Sequence, residues 1–375
     1  MKILYNIAGT YRSGGMERVL ANKVNWLVSH GYEVVVATTD QCGRSPFFKM
    51  DERVRFVDLG VNYEDTNGRS FFNKLLHFFP KQRLHKKRLN ALLSQESPDI
   101  TVSMFCNDVN FLAGLRDGSK KILEIHFAKL KRLQYGRKGI WGLADHFLMK
   151  VDEYKVGKFD RFVVLTEEDK IYWKSQNNIN VIPNALTYDG EDVSSLSSRK
   201  AIAVGRLTYQ KGFDRLIKAW ALVNECCPDW TLDIVGSGED REDLNQLIIE
   251  KGLGKVVSIV SSTEDMPKVY LQSSLLILTS RYEGFGLVLT EAHSFGVPTV
   301  AYNCKCGPSE IVKDGINGFL VEEGNVEKLA EKIIQILQDD GLRGEMGKAA
   351  KFTSKNFAEG KVMAQWEKLF KEVVR

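Results

Sequence analysis

The 375-residue chain lacks any apolar run approaching the ~18 residues that a membrane-spanning helix needs. Ser274-Leu275-Leu276-Ile277-Leu278 is typical of its longest runs. Its first residues, Met1-Lys2-Ile3-Leu4-Tyr5-Asn6, turn polar at once and supply no signal-peptide core. A secreted or spanning product is therefore not expected, and a cytoplasmic one is. Cysteine is sparse, at Cys42, Cys106, Cys226, Cys227, Cys304 and Cys306. That spacing fits neither a paired-thiol redox motif nor a zinc cluster, so the thiols read as buried or idle in a reducing compartment. The loop at residues 9–15 lacks Gly-x-Gly-x-x-Gly, which argues against a nicotinamide oxidoreductase.

What is present is ordinary for a folded protein: 43% hydrophobic and 27% charged residues. Disordered, collagen-like and disulfide-scaffold classes are excluded. The length favours two domains. The net charge of +4 hides an asymmetry: residues 1–185 hold 29 Lys and Arg against 20 Asp and Glu, or +9, and residues 186–375 hold 23 against 28, or −5. Only the first half is expected to meet an anionic partner.

Short β-branched runs alternate with helical periodicity throughout. Strands are expected at 3–7, 33–37, 100–103, 121–125 and 161–165, then at 201–204, 232–235, 256–260, 275–278 and 299–302. Near-continuous apolar strands separated by helices indicate parallel sheets covered on both faces. A polar stretch at 187–199 separates the two series. The expected fold is α/β, with two doubly wound, Rossmann-like domains facing across a cleft, at 1–185 and 186–357. A helix at about 358–375 is expected to pack back onto the first.

Ligands of such sheets bind beyond the carboxyl ends of the strands, where Gly205 and Gly236-Ser237-Gly238 fall. In Val204-Gly205-Arg206-Leu207-Thr208-Tyr209-Gln210-Lys211-Gly212, two cations five residues apart precede a helix. They either converge on one anion at its N-terminus or are unrelated cations of a solvated loop. In Ser280-Arg281-Tyr282-Glu283-Gly284-Phe285-Gly286-Leu287 and onward, the glycines admit a close ligand and a helix starts near Leu287. Glu283 then lies in the turn, and Glu291 about one turn into the helix.

This last segment, continuing through Ala292-His293-Ser294-Phe295-Gly296-Val297-Pro298, resembles the E-x7-E signature of retaining glycosyltransferase family 4. Gly14-Gly15-Met16-Glu17 resembles that family's N-terminal glycine loop, and Gly205-Arg206-Leu207 with Lys211-Gly212 its diphosphate clamp. Ile182-Pro183-Asn184 and the Asp314-Gly315-Ile316-Asn317-Gly318 turn match further. The resemblance spans nearly the whole chain and implies the GT-B fold, with a nucleotide-sugar donor, a UDP-sugar, as co-substrate and no other cofactor. It implies that Arg206 and Lys211 hold the diphosphate and that Glu283 bonds the donor sugar beside the backbone of Gly284, Phe285, Gly286 and Leu287. Glu291 would bind the ribose, and Gly15 would let its loop close over the diphosphate. Glu17 reads as structural, and His126 as lining the donor-sugar pocket.

Two departures stand out. Ser261-Ser262 replaces a common glycine near the nucleotide base, and Asn303-Cys304-Lys305-Cys306-Gly307 is an unusual run beside the donor pocket. No carboxylate has a clear claim to be a nucleophile, so front-face displacement is the implied retaining mechanism. Asp-x-Asp is absent, so no metal is expected. Rival readings are a same-fold nucleotide-sugar epimerase and a non-catalytic sugar-nucleotide-binding module.

Residues 69–88 contain seven Lys and Arg, no acid, and Phe71, Phe72, Phe78 and Phe79. Residues 125–144 add Lys129, Lys131, Arg132, Arg137 and Lys138, with Trp141 and again no acid. Either these are solvated helices whose aromatics pack inward, or they meet anionic lipid. The second reading makes the protein peripheral on the cytoplasmic membrane face, receiving a glycan or lipid-linked acceptor there. No nucleic-acid-binding motif accompanies the charge.

Overall fold

A computed structural model describes residues 1–375 except 67, 69, 132–138, 174, 175, 189 and 264; the side chains of residues 71, 72, 74, 75, 140 and 141 are likewise outside the description. The expectations that involve Arg69, Phe71, Phe72, Arg132, Arg137, Lys138 and Trp141 therefore lie outside the described residues.

The chain divides into two compact units, Met1–Pro183 with Val362–Arg375, and Asn184–Lys361. In the first, the strands are β1 (Lys2–Ile7), β2 (Glu33–Thr38), β3 (Arg55–Asp58), β4 (Ile100–Ser103), β5 (Lys120–Glu124), β6 (Arg161–Val164) and β7 (Ile179–Val181). They form one parallel sheet in the order β3-β2-β1-β4-β5-β6-β7. Helices α1 (Gly15–Ser29), α2 (Phe71–Glu96), α3 (Ile140–Val156) and α4 (Glu167–Tyr172) connect them. Helix α1 buries Leu20, Lys23, Val24 and Leu27, the 3–4 spacing of one helical face. Leu89, Leu92 and Leu93 of α2 join a core with Leu4, Val35, Leu123 and Phe162.

The second unit holds β8 (Lys200–Val204), β9 (Thr231–Val235), β10 (Val257–Val260), β11 (Leu275–Leu278), β12 (Thr299–Tyr302) and β13 (Gly318–Val321), parallel in the order β10-β9-β8-β11-β12-β13. Its helices are α5 (Phe213–Cys226), α6 (Arg241–Glu250), α7 (Met266–Leu271), α8 (Leu287–Ser294), α9 (Pro308–Ile311), α10 (Val326–Gln338) and α11 (Asp340–Ser354). Helix α5 buries Leu216, Ile217, Trp220 and Val223, and α10 packs against it. Asn325 caps α10 by accepting from the Lys328 N–H at 2.9 Å.

The last helix, α12 (Glu359–Val374), places Val362 onward in the first unit. Trp366 is buried there beneath the Lys23 ammonium, 3.7 Å from its ring, and Tyr32 donates to Glu367 at 2.8 Å.

Both sheets reverse their strand order at one place, between β1 and β4 and between β8 and β11. The loops leaving those strands diverge, opening a crevice outside their carboxyl ends. In the second unit the crevice lies between residues 205–212 and 279–286.

Candidate functional site

Two loops of the second unit are fastened together at that crevice. Thr279 Oγ1 donates to the Lys211 carbonyl at 3.0 Å, the Arg281 N–H to the Gln210 carbonyl at 2.8 Å, and Gln210 Nε2 to the Tyr282 carbonyl at 3.0 Å. Gly212 makes the approach possible. Its φ is +64°, and a Cβ there would lie 2.3 Å from the Thr279 oxygen. Arg281 braces the far side with a two-pronged contact to Asp214 at 3.0 and 2.8 Å, a bond to the Tyr209 carbonyl and a stack on the Tyr209 ring. Burial alone would raise the Asp214 carboxyl, but the Arg281 hydrogen bonds together with the charges of Arg281, Lys218 and Arg215 hold it low.

This fastening brings Lys211 and Glu283 together. Lys211 Nζ lies 2.6 Å from Glu283 Oε1, which also accepts from Ser280 Oγ at 2.6 Å. Both side chains of the ion pair are mostly buried. Glu283 N–H donates to the Lys305 carbonyl at 3.4 Å, and Gly307, with φ +127°, lies so close to Phe285 that a Cβ would be 2.2 Å from its oxygen. The 303–307 run thus backs the Glu283 turn.

Arg206 sits on the same loop as Lys211 but is exposed, with a 3.5 Å contact to Gln210 Oε1. Gly205 lies against the Lys211 side chain. Gly284 is half-buried, while Phe285 turns its ring inward to Phe357, so only its backbone faces the turn. Gly286, with φ +92°, caps α8, and Leu287 is that helix's first residue. Glu291, in α8, accepts from Tyr270 at 2.8 Å. Tyr270 is buried and stacked on Phe295 at 5.6 Å; burial and the Glu291 charge keep its hydroxyl protonated far above the usual range. Sequence reasoning missed Tyr270, Ser280, Arg281 and Asp214. Only Ser280 and Arg281 lie near the signature, and a tyrosine 21 residues upstream of Glu291 carries no local signal.

In the first unit, Gly15 is exposed and begins α1. Glu17 folds back beside Gly14, where a Cβ would lie 2.2 Å from its carboxylate. His126 follows β5, its Nε2 3.1 Å from Glu124 Oε1. Glu124 is buried and ion-paired with the buried Lys23 of α1. Burial favours the neutral acid, yet Lys23 and His126 together hold the Glu124 carboxyl down at about 2. Nearby, at the ends of β1 and β4, Ser103 Oγ donates to the buried Asp108 at 2.8 Å, and burial pushes that carboxyl up to about 6. Among the described residues no cluster of three His, Cys, Asp or Glu could hold a metal ion.

Comparison with known proteins gives this arrangement its class. Residues 191–352 match the family model "Glycosyl transferases group 1" and residues 13–189 match "Glycosyltransferase Family 4". An uncharacterized glycosyltransferase of Haemophilus influenzae is 30% identical, the match covering 98% of this chain and 99% of that one. A Campylobacter jejuni enzyme, GalNAc-alpha-(1->4)-GalNAc-alpha-(1->3)-diNAcBac-PP-undecaprenol alpha-1,4-N-acetyl-D-galactosaminyltransferase, is 27% identical over 100% of this chain and 99% of its own. Among solved structures, a TarM mutant of S. aureus crystallised with fondaparinux, alpha-GlcNAc-glycerol and UDP superposes with a TM-score of 0.79 at 18% identity, covering 98% of this chain and 99% of that one. The two doubly wound sheets are those of a GT-B glycosyltransferase. The chain belongs to glycosyltransferase family 4.

Proposed function

We propose that this glycosyltransferase is retaining and metal-independent, takes its sugar from a UDP-sugar, and transfers it to a glycan or lipid-linked acceptor in surface polysaccharide or glycoconjugate synthesis. The observation that carries the reading is the Lys211–Glu283–Ser280 cluster. Lys211 is pinned, desolvated and at a loop–helix junction, where a diphosphate also meets the N-terminal end of α5. An arriving diphosphate takes Lys211 from Glu283, and the freed Oε1 accepts from a donor-sugar hydroxyl. One charged partner is exchanged for another, so neither buried charge is left unpaired.

With Glu283 engaged in this way it serves as a hydrogen-bond acceptor and not as a nucleophile. In the front-face route the C1–oxygen bond to the diphosphate breaks, and the acceptor hydroxyl oxygen bonds C1 on the same face. Its proton passes to the departing diphosphate oxygen, whose charge Arg206 and Lys211 stabilise. Glu291, fixed by Tyr270, addresses the ribose, and His126, backed by Glu124 and Lys23, lines the donor-sugar pocket. The metal-free reading rests on the missing Asp-x-Asp. UDP in the TarM complex and the undecaprenol-linked substrate in the Campylobacter enzyme's name support donor and acceptor classes.

No helix among the described residues is long and apolar enough to cross a membrane. The excess positive charge of residues 1–185 supports peripheral docking of the first unit on an anionic cytoplasmic membrane face. Proton NMR of the product formed from an α-linked UDP-sugar tests the mechanism: an α-linkage is expected, and a β-linkage contradicts retention. Release of a free, altered sugar without acceptor would favour the epimerase instead.

A further inference from the structure

Among the exposed large apolar side chains described in the first unit are Leu76 and Phe79 on α2, at 74% and 60% exposure, and Leu143 and Phe147 on α3, at 74% and 67%. Monomeric surfaces rarely leave such groups clustered without a use. Their placement follows from topology. Helix α2 leads into β4 and α3 into β6, both within a parallel sheet, so each helix begins outside the carboxyl ends of the strands and runs back along the sheet. All four residues lie in the N-terminal halves of their helices. Both helices also pack against the 3₁₀ turn Asn107–Asn110. The apolar ends therefore share one edge of the unit, the edge where His126 sits.

Along each helix the chemistry changes in the same order. On α2 the described residues before His85 are not buried, and the outward face runs from Leu76 and Phe79 to the exposed Arg83, Lys86 and Lys87. No acid occurs in α2 before Glu96, which is buried and paired with Lys2 and Arg55. On α3, Leu143, Phe147, Lys150 and Tyr154 fall at i, i+4, i+7 and i+11, one stripe, and Lys158 covers the Tyr154 ring at 4.1 Å. The α3 acids are spoken for: Asp145 is buried, Asp152 lies 4.0 Å from Lys155, and Glu153 pairs with Lys129. The step from Phe79 to Arg83 and Lys87 is about 6–12 Å at 1.5 Å per residue. That matches the depth of about 5–10 Å to which interfacial helices sink.

The structure also sorts the side chains of this segment. Phe78 turns partly inward, its ring 6.5 Å from Tyr63. Lys81 is held by the Asn62 carbonyl and Asp65, and Arg88 by the carbonyls of Leu59 and Gly60. Among the described cations of this segment, Arg83, Lys86 and Lys87 are left for a partner.

We propose that the first unit docks tip-first on an anionic bilayer, with Leu76, Phe79, Leu143 and Phe147 entering the boundary between headgroups and acyl chains and Arg83, Lys86, Lys87 and Lys150 meeting lipid phosphates above them. This rests on the membrane-surface reading above and names the side chains that carry it. The carboxyl end of the sheet, where His126 sits, is then on the side of the bilayer that would hold a lipid-linked acceptor.

Co-sedimentation of the full chain with phosphatidylcholine vesicles, with and without phosphatidylglycerol, tests it. Wild type should bind the anionic vesicles and release with salt. The Leu76→Ser/Phe79→Ser pair should bind about 100-fold more weakly, from transfer free energies of about 1.5 kcal/mol or more per side chain. Neutralising Arg83, Lys86 or Lys87 should cost about fivefold each. Phe79→Trp should be quenched by lipids brominated on the acyl chain. Wild type left in the supernatant at low salt overturns the proposal, as does undiminished binding of the serine pair or an unquenched tryptophan. A dimer that the serine pair dissolves, without lipid binding, would assign the face to a second copy and also overturn it. Thermal stabilisation by UDP reports the donor site separately: vesicle binding without it would count against the UDP-donor reading alone.

Discussion

At 2.6 Å from Glu283, the Lys211 ammonium is held by a partner that, on the proposed function, a bound diphosphate displaces. Replacing Lys211 with Ala removes a preorganised positive charge from the leaving group. Turnover should fall by about 10²–10³, with Arg206→Ala in the same range; a steady-state assay of both variants checks this. Tyr270 acts one step removed. Its bond to Glu291 fixes the carboxylate proposed to hold the ribose, whose contacts would be the same in ground and transition states. Tyr270→Phe should therefore raise the donor KM about tenfold and leave kcat unchanged. Asp108 offers a pH signature. Its folded carboxyl, raised from 3.8 to about 6, binds a proton that the unfolded chain has released. The stability it gives is full at low pH and is lost as pH rises through about 6. Asp108→Asn should thus gain about 2–3 kcal/mol on wild type between pH 4 and pH 8, read from denaturant unfolding at each. These single-residue features differ in legibility. Glu283 and Glu291 stood out through their flanking glycines, whereas the Lys23–Glu124–His126 chain joins residues 101 positions apart and leaves no local trace.

Elements show the same division. Strands such as β1, β2, β8 and β11 are near-continuous apolar runs because both faces of a parallel sheet are covered, and that pattern is visible in the sequence. β3, β7 and β13 were not anticipated. β3 and β7 lie at the sheet edges and are short and partly exposed, so their composition is mixed. β13 begins with the glycine of what read as a turn, and that Gly318 packs against the Thr299 carbonyl. The crevice loops of the second unit carry the strongest element-level requirement. Gly212→Ala places a methyl group against the Thr279 oxygen in a left-handed backbone, so the 205–212 loop must shift away from the Glu283 turn. Strain of about 1–3 kcal/mol should lower the melting temperature modestly, while kcat falls far more, toward the level of Lys211→Ala. Comparing melting curves with turnover separates the two effects.

At the scale of the molecule, the chain assigns its tasks to separate units. The second unit, acidic overall, still concentrates Arg206, Lys211 and Arg281 at one crevice, so local arrangement and not net charge makes the proposed anion site. The first unit carries the excess of cations, the His126 edge and the two apolar helix ends. Composition revealed the charge asymmetry, but which aromatics face outward depended on how α2 and α3 pack. The central claim is that the Lys211–Glu283 turn binds and activates a nucleotide-diphosphate sugar without a metal. Its most direct test is nucleoside diphosphate release across a panel of UDP-, GDP- and ADP-sugars in EDTA, for wild type and Lys211→Ala. UDP should be released from at least one UDP-sugar by wild type at a rate EDTA leaves unchanged, and the variant should be nearly silent. Strict dependence on added magnesium or manganese, or near-normal release by Lys211→Ala, would contradict the account.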